Sequence, residues 1–173
     1  ERDKEYVLAI DPSFSNSPSS DYFAMSVLEL DEEKNNESTL VHAYAVAGGD
    51  LKDHIKYLHY LVTNFNLSLI IIDNAGYQFL DSANESELFR DSRINLKFFD
   101  FNSDKTGVDY QQMLLKAKSQ YNKKEYVICF KQLFSTTFLR EANEYLQASI
   151  DHKRIWFASR TAACGSFFDK VSA

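Results

Sequence analysis

Apolar residues fall first into strand-length runs and later into helical spacing. Residues 6–10, 24–30 and 40–47 are short runs rich in apolar and β-branched side chains, separated by polar stretches. The link from Asp11 to Asp21 is Pro/Ser-rich, the turn from Asp31 to Ser38 is rich in Asp, Glu and Asn, and Gly48-Gly49 ends the third run. This pattern predicts an antiparallel meander of three strands. Leu51, Ile55, Leu58, Val62 and Phe65 then recur at helical spacing behind Asp50, an N-cap residue, which predicts a helix over 51–64. Residues 67–72 are almost continuously apolar, as in a strand buried on both faces. Gly76 opens a second predicted helix over about 77–90, and 96–101 reads as a fifth strand. A third helix is predicted over 110–121, broken by Asn122-Lys123-Lys124. Residues 126–130 form a short apolar segment. Ser135 or Thr136 caps a further helix with Phe138, Leu139, Ala142, Leu146 and Ile150 on one face. Residues 154–157 are apolar and strand-like, and 162–173 are weakly patterned.

The resulting order, β-β-β-α-β-α-β followed by further helices, predicts an α/β domain. Three antiparallel strands, then parallel strands reached through crossover helices, make one mixed sheet flanked by helices on both faces. This is the element order of the ribonuclease H-like fold, in which the first and fourth strands are neighbours. Here those two strands share a design: Tyr6-Val7-Leu8-Ala9-Ile10 runs into Asp11-Pro12, and Leu69-Ile70-Ile71-Ile72 into Asp73-Asn74-Ala75-Gly76. In that fold both aspartates arrive at the same place.

Paired carboxylates of this kind suit hard divalent cations, which prefer oxygen ligands. Two such ions about 3.5–4 Å apart can activate water and stabilise the leaving oxygen in phosphodiester cleavage. Asp11, on the central first strand, is the candidate bridging ligand and Asp73 the second; the bland reading of Asp11 is a residue that caps the Pro12 turn. Asp21, in Ser20-Asp21-Tyr22-Phe23-Ala24, stands across the first hairpin as a further metal ligand or as a simple turn cap. Asp169, in Phe167-Phe168-Asp169-Lys170, is the candidate that completes the set. Asp151 beside His152 is the other choice, though it reads better as part of the turn after the preceding helix, and a ligand beyond residue 173 is a third. Of the histidines, His54 and His59 lie on different faces of their helix, His42 reads as a strand surface residue and His152 as a solvated turn. The chain carries no nucleophile-elbow arrangement and no P-loop or dinucleotide-binding glycine pattern.

The 173 residues suffice for one domain with a core, and 45% hydrophobic with 25% charged residues is ordinary for a globular protein. No apolar run approaches the ~18 residues of a membrane span, so no membrane partner is expected. Cys129 and Cys164 lack the spacing of a zinc site; Cys129, within an apolar run, reads as a buried thiol in a reducing, cytoplasmic setting. The net charge of −6 argues mildly against a broad nucleic-acid surface. Yet Lys123, Lys124, Lys131, Arg140, Lys153, Arg154, Arg160 and Lys170 cluster in the last third, where they could meet phosphates. A first residue that is Glu suggests a piece of a longer polypeptide.

Leu8-Ala9-Ile10-Asp11-Pro12 with Ser20-Asp21-Tyr22-Phe23-Ala24 resembles the first acidic motif of the nuclease domain of large terminase subunits, the DNA-packaging motors of tailed phages and herpesviruses. Ile70-Ile71-Ile72-Asp73-Asn74-Ala75-Gly76 resembles the second. The link between Asp11 and Asp21 is Ser/Pro/Asn-rich where the family is glycine-rich, and Asp169-Lys170-Val171-Ser172-Ala173 is an imperfect third motif. The resemblance implies that 1–173 is a single nuclease domain preceded in the full protein by an ATPase domain. It also implies an endonuclease dependent on two Mg²⁺ or Mn²⁺ ions that cuts concatemeric double-stranded viral DNA, with the small terminase subunit and the portal as partners. The setting would be the cytoplasm of the infected cell, or the nucleus for a herpesvirus. Another ribonuclease H-like nuclease, a Holliday-junction resolvase or an RNase H, is the alternative, as is a non-catalytic assembly scaffold. An actin-like ATPase would want Gly and Thr directly after Asp11, where Pro12-Ser13-Phe14 stands.

Overall fold

A computed structural model of the chain describes residues 4–14, 21–31, 37–73, 76–98, 115, 126–132 and 135–157. Its first strand, β1 (Glu5–Asp11), alternates half-buried and buried positions, so that Tyr6, Leu8 and Ile10 point into the core. β2 (Tyr22–Asp31) and β3 (Glu37–Ala47) complete the expected meander, each longer than its apolar run because polar residues continue the ladder. At Gly48 and Gly49 the backbone takes φ of 69° and 118°, which side chains oppose, and the chain turns into helix α1 (Leu51–Asn64). Asp50 caps α1 by accepting from the Lys52 backbone N–H at 3.0 Å. β4 (Leu67–Asp73) then returns parallel to β1.

The stretch expected as one helix over 77–90 is two: α2 (Tyr77–Glu85) and α3 (Glu87–Ser92). Ser86 divides them, its hydroxyl donating to the Ala83 carbonyl at 2.6 Å and serving as the cap of α3. β5 (Asn95–Phe98) and β6 (Tyr126–Gln132) are both parallel strands, and the apolar segment over 126–130 is thus a sheet member. The helix expected over 110–121 falls, apart from residue 115, outside the described residues. Ser135 caps the last described helix, α4 (Thr136–Asp151), and β7 (Ile155–Phe157) adds a parallel strand beside β3.

Among the described residues the sheet has seven strands in the order β5-β6-β4-β1-β2-β3-β7. Only β2 runs against the rest. An antiparallel β3-β2-β1 unit joined to parallel β4 is the ribonuclease H-like arrangement, here extended by β6 and β5 on one flank and β7 on the other. The main core lies between one face of the sheet and α1–α3. Leu8, Ile10, Phe23, Met25, Ile70 and Ile72 meet Leu58 and Leu61 of α1, Phe79 and Leu80 of α2, and Phe89 of α3 there. A smaller cluster on the opposite face joins Leu69, Ile128 and Phe130 to Val7 and Ile71. Cys129 is buried in the main core, and desolvation holds its thiol protonated. On the apolar stripe of α4, Leu139, Leu146 and Ile150 are exposed.

His42 is not a surface residue. It is 4% exposed beneath α1 and hydrogen-bonds through Nε2 to the Tyr57 hydroxyl. The register explains this, because His42 pairs with Val27 and so lies on the core face of β3.

Candidate metal centre

In the parallel β1–β4 ladder Ile10 stands beside Ile72. Asp11 and Asp73, each one step further, are therefore neighbours at one edge of the sheet. Ile10 and Ile72 point into the main core, and each strand runs one residue further into its aspartate at this edge. β1, β4 and β6 all end at this edge, where Asp73 stands opposite Gln132. β2 runs the other way and begins there, so Asp21, just before it and exposed, reaches the same edge; Asp11 itself pairs with Ala24.

Three effects raise the Asp11 carboxyl above its ordinary value: partial burial first, then the charge of Asp73, then that of Asp21. The three predicted acids thus share one electrostatic neighbourhood. Among the described residues, however, no three His, Cys, Asp or Glu side chains are arranged to hold a metal ion. Asp151 does not complete the set. It occupies the last turn of α4, its carboxylate accepts from Gln147 Nε2 at 2.9 Å, and it lies close before β7. β7 begins beside Ser38, at the far edge of the sheet from Asp11. Asp169 lies outside the described residues.

The donor set suits a divalent cation of the Mg²⁺ or Mn²⁺ type. It consists of carboxylate oxygens, and the mutual repulsion felt at Asp11 is what a cation would relieve. A cation that keeps several waters and takes substrate phosphate as a further ligand needs only one or two carboxylates from the protein.

Two supporting features were missed in the sequence. Gly76, read as a helix opener, is needed for close approach: a Cβ there would fall 1.9 Å from Cγ of Pro12. Gly76, three residues after Asp73, thereby packs against Pro12, one residue after Asp11, which fixes one acid against the other. The signal was present, since each acid leads into a turn with a Pro or a Gly, but their contact is long-range. The second feature is Lys131, previously one basic residue among several. On β6 next to Gln132, its Nζ sits 4.1 Å from the Tyr77 ring centre and 4.6 Å from that of Phe98. It is an exposed cation held by two rings near the end of β4. Lys153 and Arg154, by contrast, adjoin β7 at the far edge. Lys123, Lys124, Arg160 and Lys170 lie outside the described residues.

No protein-family model matches the chain, and no curated protein matches it. Several solved structures are similar. The yeast mitochondrial Holliday junction resolvase Ydc2 superposes with a TM-score of 0.43 at 13% identity, over 90% of this chain and 65% of that one. The nuclease domain of the large terminase g2p from bacteriophage SPP1, with bound Mn, gives 0.36 at 16% identity over 80% and 67%. RuvC of Thermus thermophilus gives 0.31 at 12% identity over 72% and 62%. The chain spans less than two thirds of the length of Ydc2 and of RuvC. The fold class itself stands on the order and sense of the strands.

Proposed function

We propose that this domain is a metal-dependent nuclease acting on DNA, and that its work is the endonucleolytic cutting of concatemeric double-stranded viral DNA during genome packaging. The observation that carries the nuclease reading is the side-by-side placement of Asp11 and Asp73 at one sheet edge, with Asp11 held above its ordinary carboxyl range. The packaging role is supported by the likeness of the two acidic motifs to those of large terminase subunits. It brings with it an ATPase domain on the same polypeptide, the small terminase subunit and the portal as partners, and the infected cell as the setting.

In this reading Asp11 and Asp73 hold Mg²⁺ or Mn²⁺, with Asp21 adding negative charge from across the hairpin and Asp169 the proposed further ligand. When bound, the ions supply a water activated at neutral pH and neutralise charge on the leaving oxygen. The chain's own part is to fix the acids in register, to press the Pro12 turn against Gly76, and to present the Lys131 ammonium to a phosphate of the strand.

The test is cleavage with Mn²⁺ on three substrates: linear duplex, four-way junction and RNA–DNA hybrid. Duplex cutting that disappears in Asp11→Asn is the expected result. Activity confined to the junction or the hybrid assigns the domain to a resolvase or an RNase H instead. No cutting of any substrate, with no thermal shift by Mn²⁺, favours a scaffold.

A further inference from the structure

A cleft of about 580 Å³ opens two residues past Asp11, lined by Ser13, Phe14, Gly49, Asp50, Leu51 and His54. Its size falls in the ~300–1,000 Å³ range of small-ligand sites. The wall that follows Asp11 carries Phe14, whose ring rests edge-on against Phe23 at 6.4 Å between centres and yet is 54% exposed. The floor is His54. Only 3% exposed, it stacks on Phe23 at 4.1 Å with rings 8° from parallel, and its Nδ1 bonds the Tyr44 hydroxyl at 2.9 Å. Its Nε2 bonds no group among the described residues. Gly49, lacking a side chain, leaves that ring edge open; a Cβ there would come within 3.1 Å of Nε2. Asp50, the one carboxylate among the described lining residues, accepts from the Lys52 backbone N–H.

We infer that this cleft accepts an unpaired nucleobase of the DNA strand whose phosphate lies at Asp11 and Asp73. The inference rests on the nuclease reading for its substrate and on the cleft for its chemistry. Among the described residues no cationic side chain lines it, and the charged group they offer a phosphate there is the Asp50 carboxylate. A flat uncharged ring would find an exposed aromatic ring to stack on, Leu51 against its edge and one buried imidazole nitrogen to hydrogen-bond. Base-on-aromatic stacking of this kind tolerates any base, so the cleft selects DNA that is locally unpaired rather than a sequence.

The experiment is a fluorescence titration of the full chain, with Ca²⁺ in place of Mg²⁺ or Mn²⁺, on two DNAs that carry 2-aminopurine. In one the base is an unpaired single-nucleotide bulge and in the other it is paired. The bulged DNA is expected to bind at least about fivefold more tightly, with quenching of the probe, the lower end for one stacked base. Phe14→Ala brings the ratio of affinities to one and Phe14→Trp keeps it, each with an unchanged melting temperature. A ratio of one for the unsubstituted chain, or a ratio retained in Phe14→Ala, overturns the inference. Plasmid nicking in Mn²⁺ is read separately. Nicking with a ratio of one sinks the cleft and leaves the nuclease, whereas a high ratio without nicking leaves the cleft and sinks the nuclease.

Discussion

Asp11 is placed where an ionised carboxylate is disfavoured by burial and by two like charges. Its folded-state pKa lies above the unfolded value. The stability tied to its proton is therefore complete below the unfolded value, near pH 4, and is lost as pH rises through the folded value. At neutral pH the residue costs stability, as groups held for function often do. Asp11→Asn is expected to abolish nicking and to raise the melting temperature of the metal-free protein at pH 7. A melting temperature below that of the parent would show that Asp11 contributes structurally. His42 and His54 titrate in the opposite sense. Burial lowers both, against the pull of Asp53 and then Asp50 on His54. Their contribution is complete above the unfolded value near pH 6.5 and is lost as pH falls through the folded values. The melting temperature should be level from pH 8 to 7 and fall between pH 6.5 and 5; no fall across that window counts against neutral, buried imidazoles. Gly76 belongs to the same scale. Gly76→Ala forces a methyl onto the Pro12 ring and should cost about 1–3 kcal/mol. By moving Asp11 relative to Asp73 it should also slow nicking about 10²-fold. Denaturant melts and a plasmid assay check the two effects independently.

At the scale of elements, hydrophobic periodicity was enough to read β1–β4 and α1, because each has a visible stop: Pro12, Asp31, Gly48, Asn64 and Asp73. It failed where a side chain competed with the backbone or where a contact spanned distance. Ser86 lies within an apolar pattern that suits one helix, yet its hydroxyl ends one helix and starts the next. β5 is only four residues long and depends on Asn84 of α2. The Asn84 amide donates to the Leu96 carbonyl at 2.9 Å and accepts from the Leu96 N–H at 2.8 Å. It bonds Leu96 as a neighbouring strand would, and nothing local at residue 84 announces it. Asn84→Ala strands both backbone groups of a residue 3% exposed. It should cost about 1–3 kcal/mol, with amide exchange at Leu96 accelerating more than exchange in β1. Uniform acceleration would mean that β5 does not open separately. The positions of Asp11 and Asp73 were legible because each ends an apolar strand, and Asp151 lies, as its other reading had it, where the preceding helix ends.

On the scale of the molecule, charge and topology act against each other. The chain carries −6 overall, and the topology gathers Asp11, Asp73 and Asp21 at one edge. A divalent cation bound there relieves repulsion in the folded state and finds no matching site in the unfolded chain, so its binding free energy adds to stability. At a concentration 100 times its dissociation constant, Mn²⁺ should add about 2.7 kcal/mol. For a chain of this length that corresponds to a rise of about 5–10 °C in melting temperature. The same rise should vanish on chelation and be absent from Asp11→Asn and Asp73→Asn. Each variant alone should already melt higher than the metal-free parent if repulsion is the cause. If Mn²⁺ raised the parent and both variants equally, the ion would be binding elsewhere. The carboxylate edge would then be an electrostatic cost with no catalytic return, and the strand register that brings Asp11 to Asp73 would no longer argue for phosphodiester cleavage.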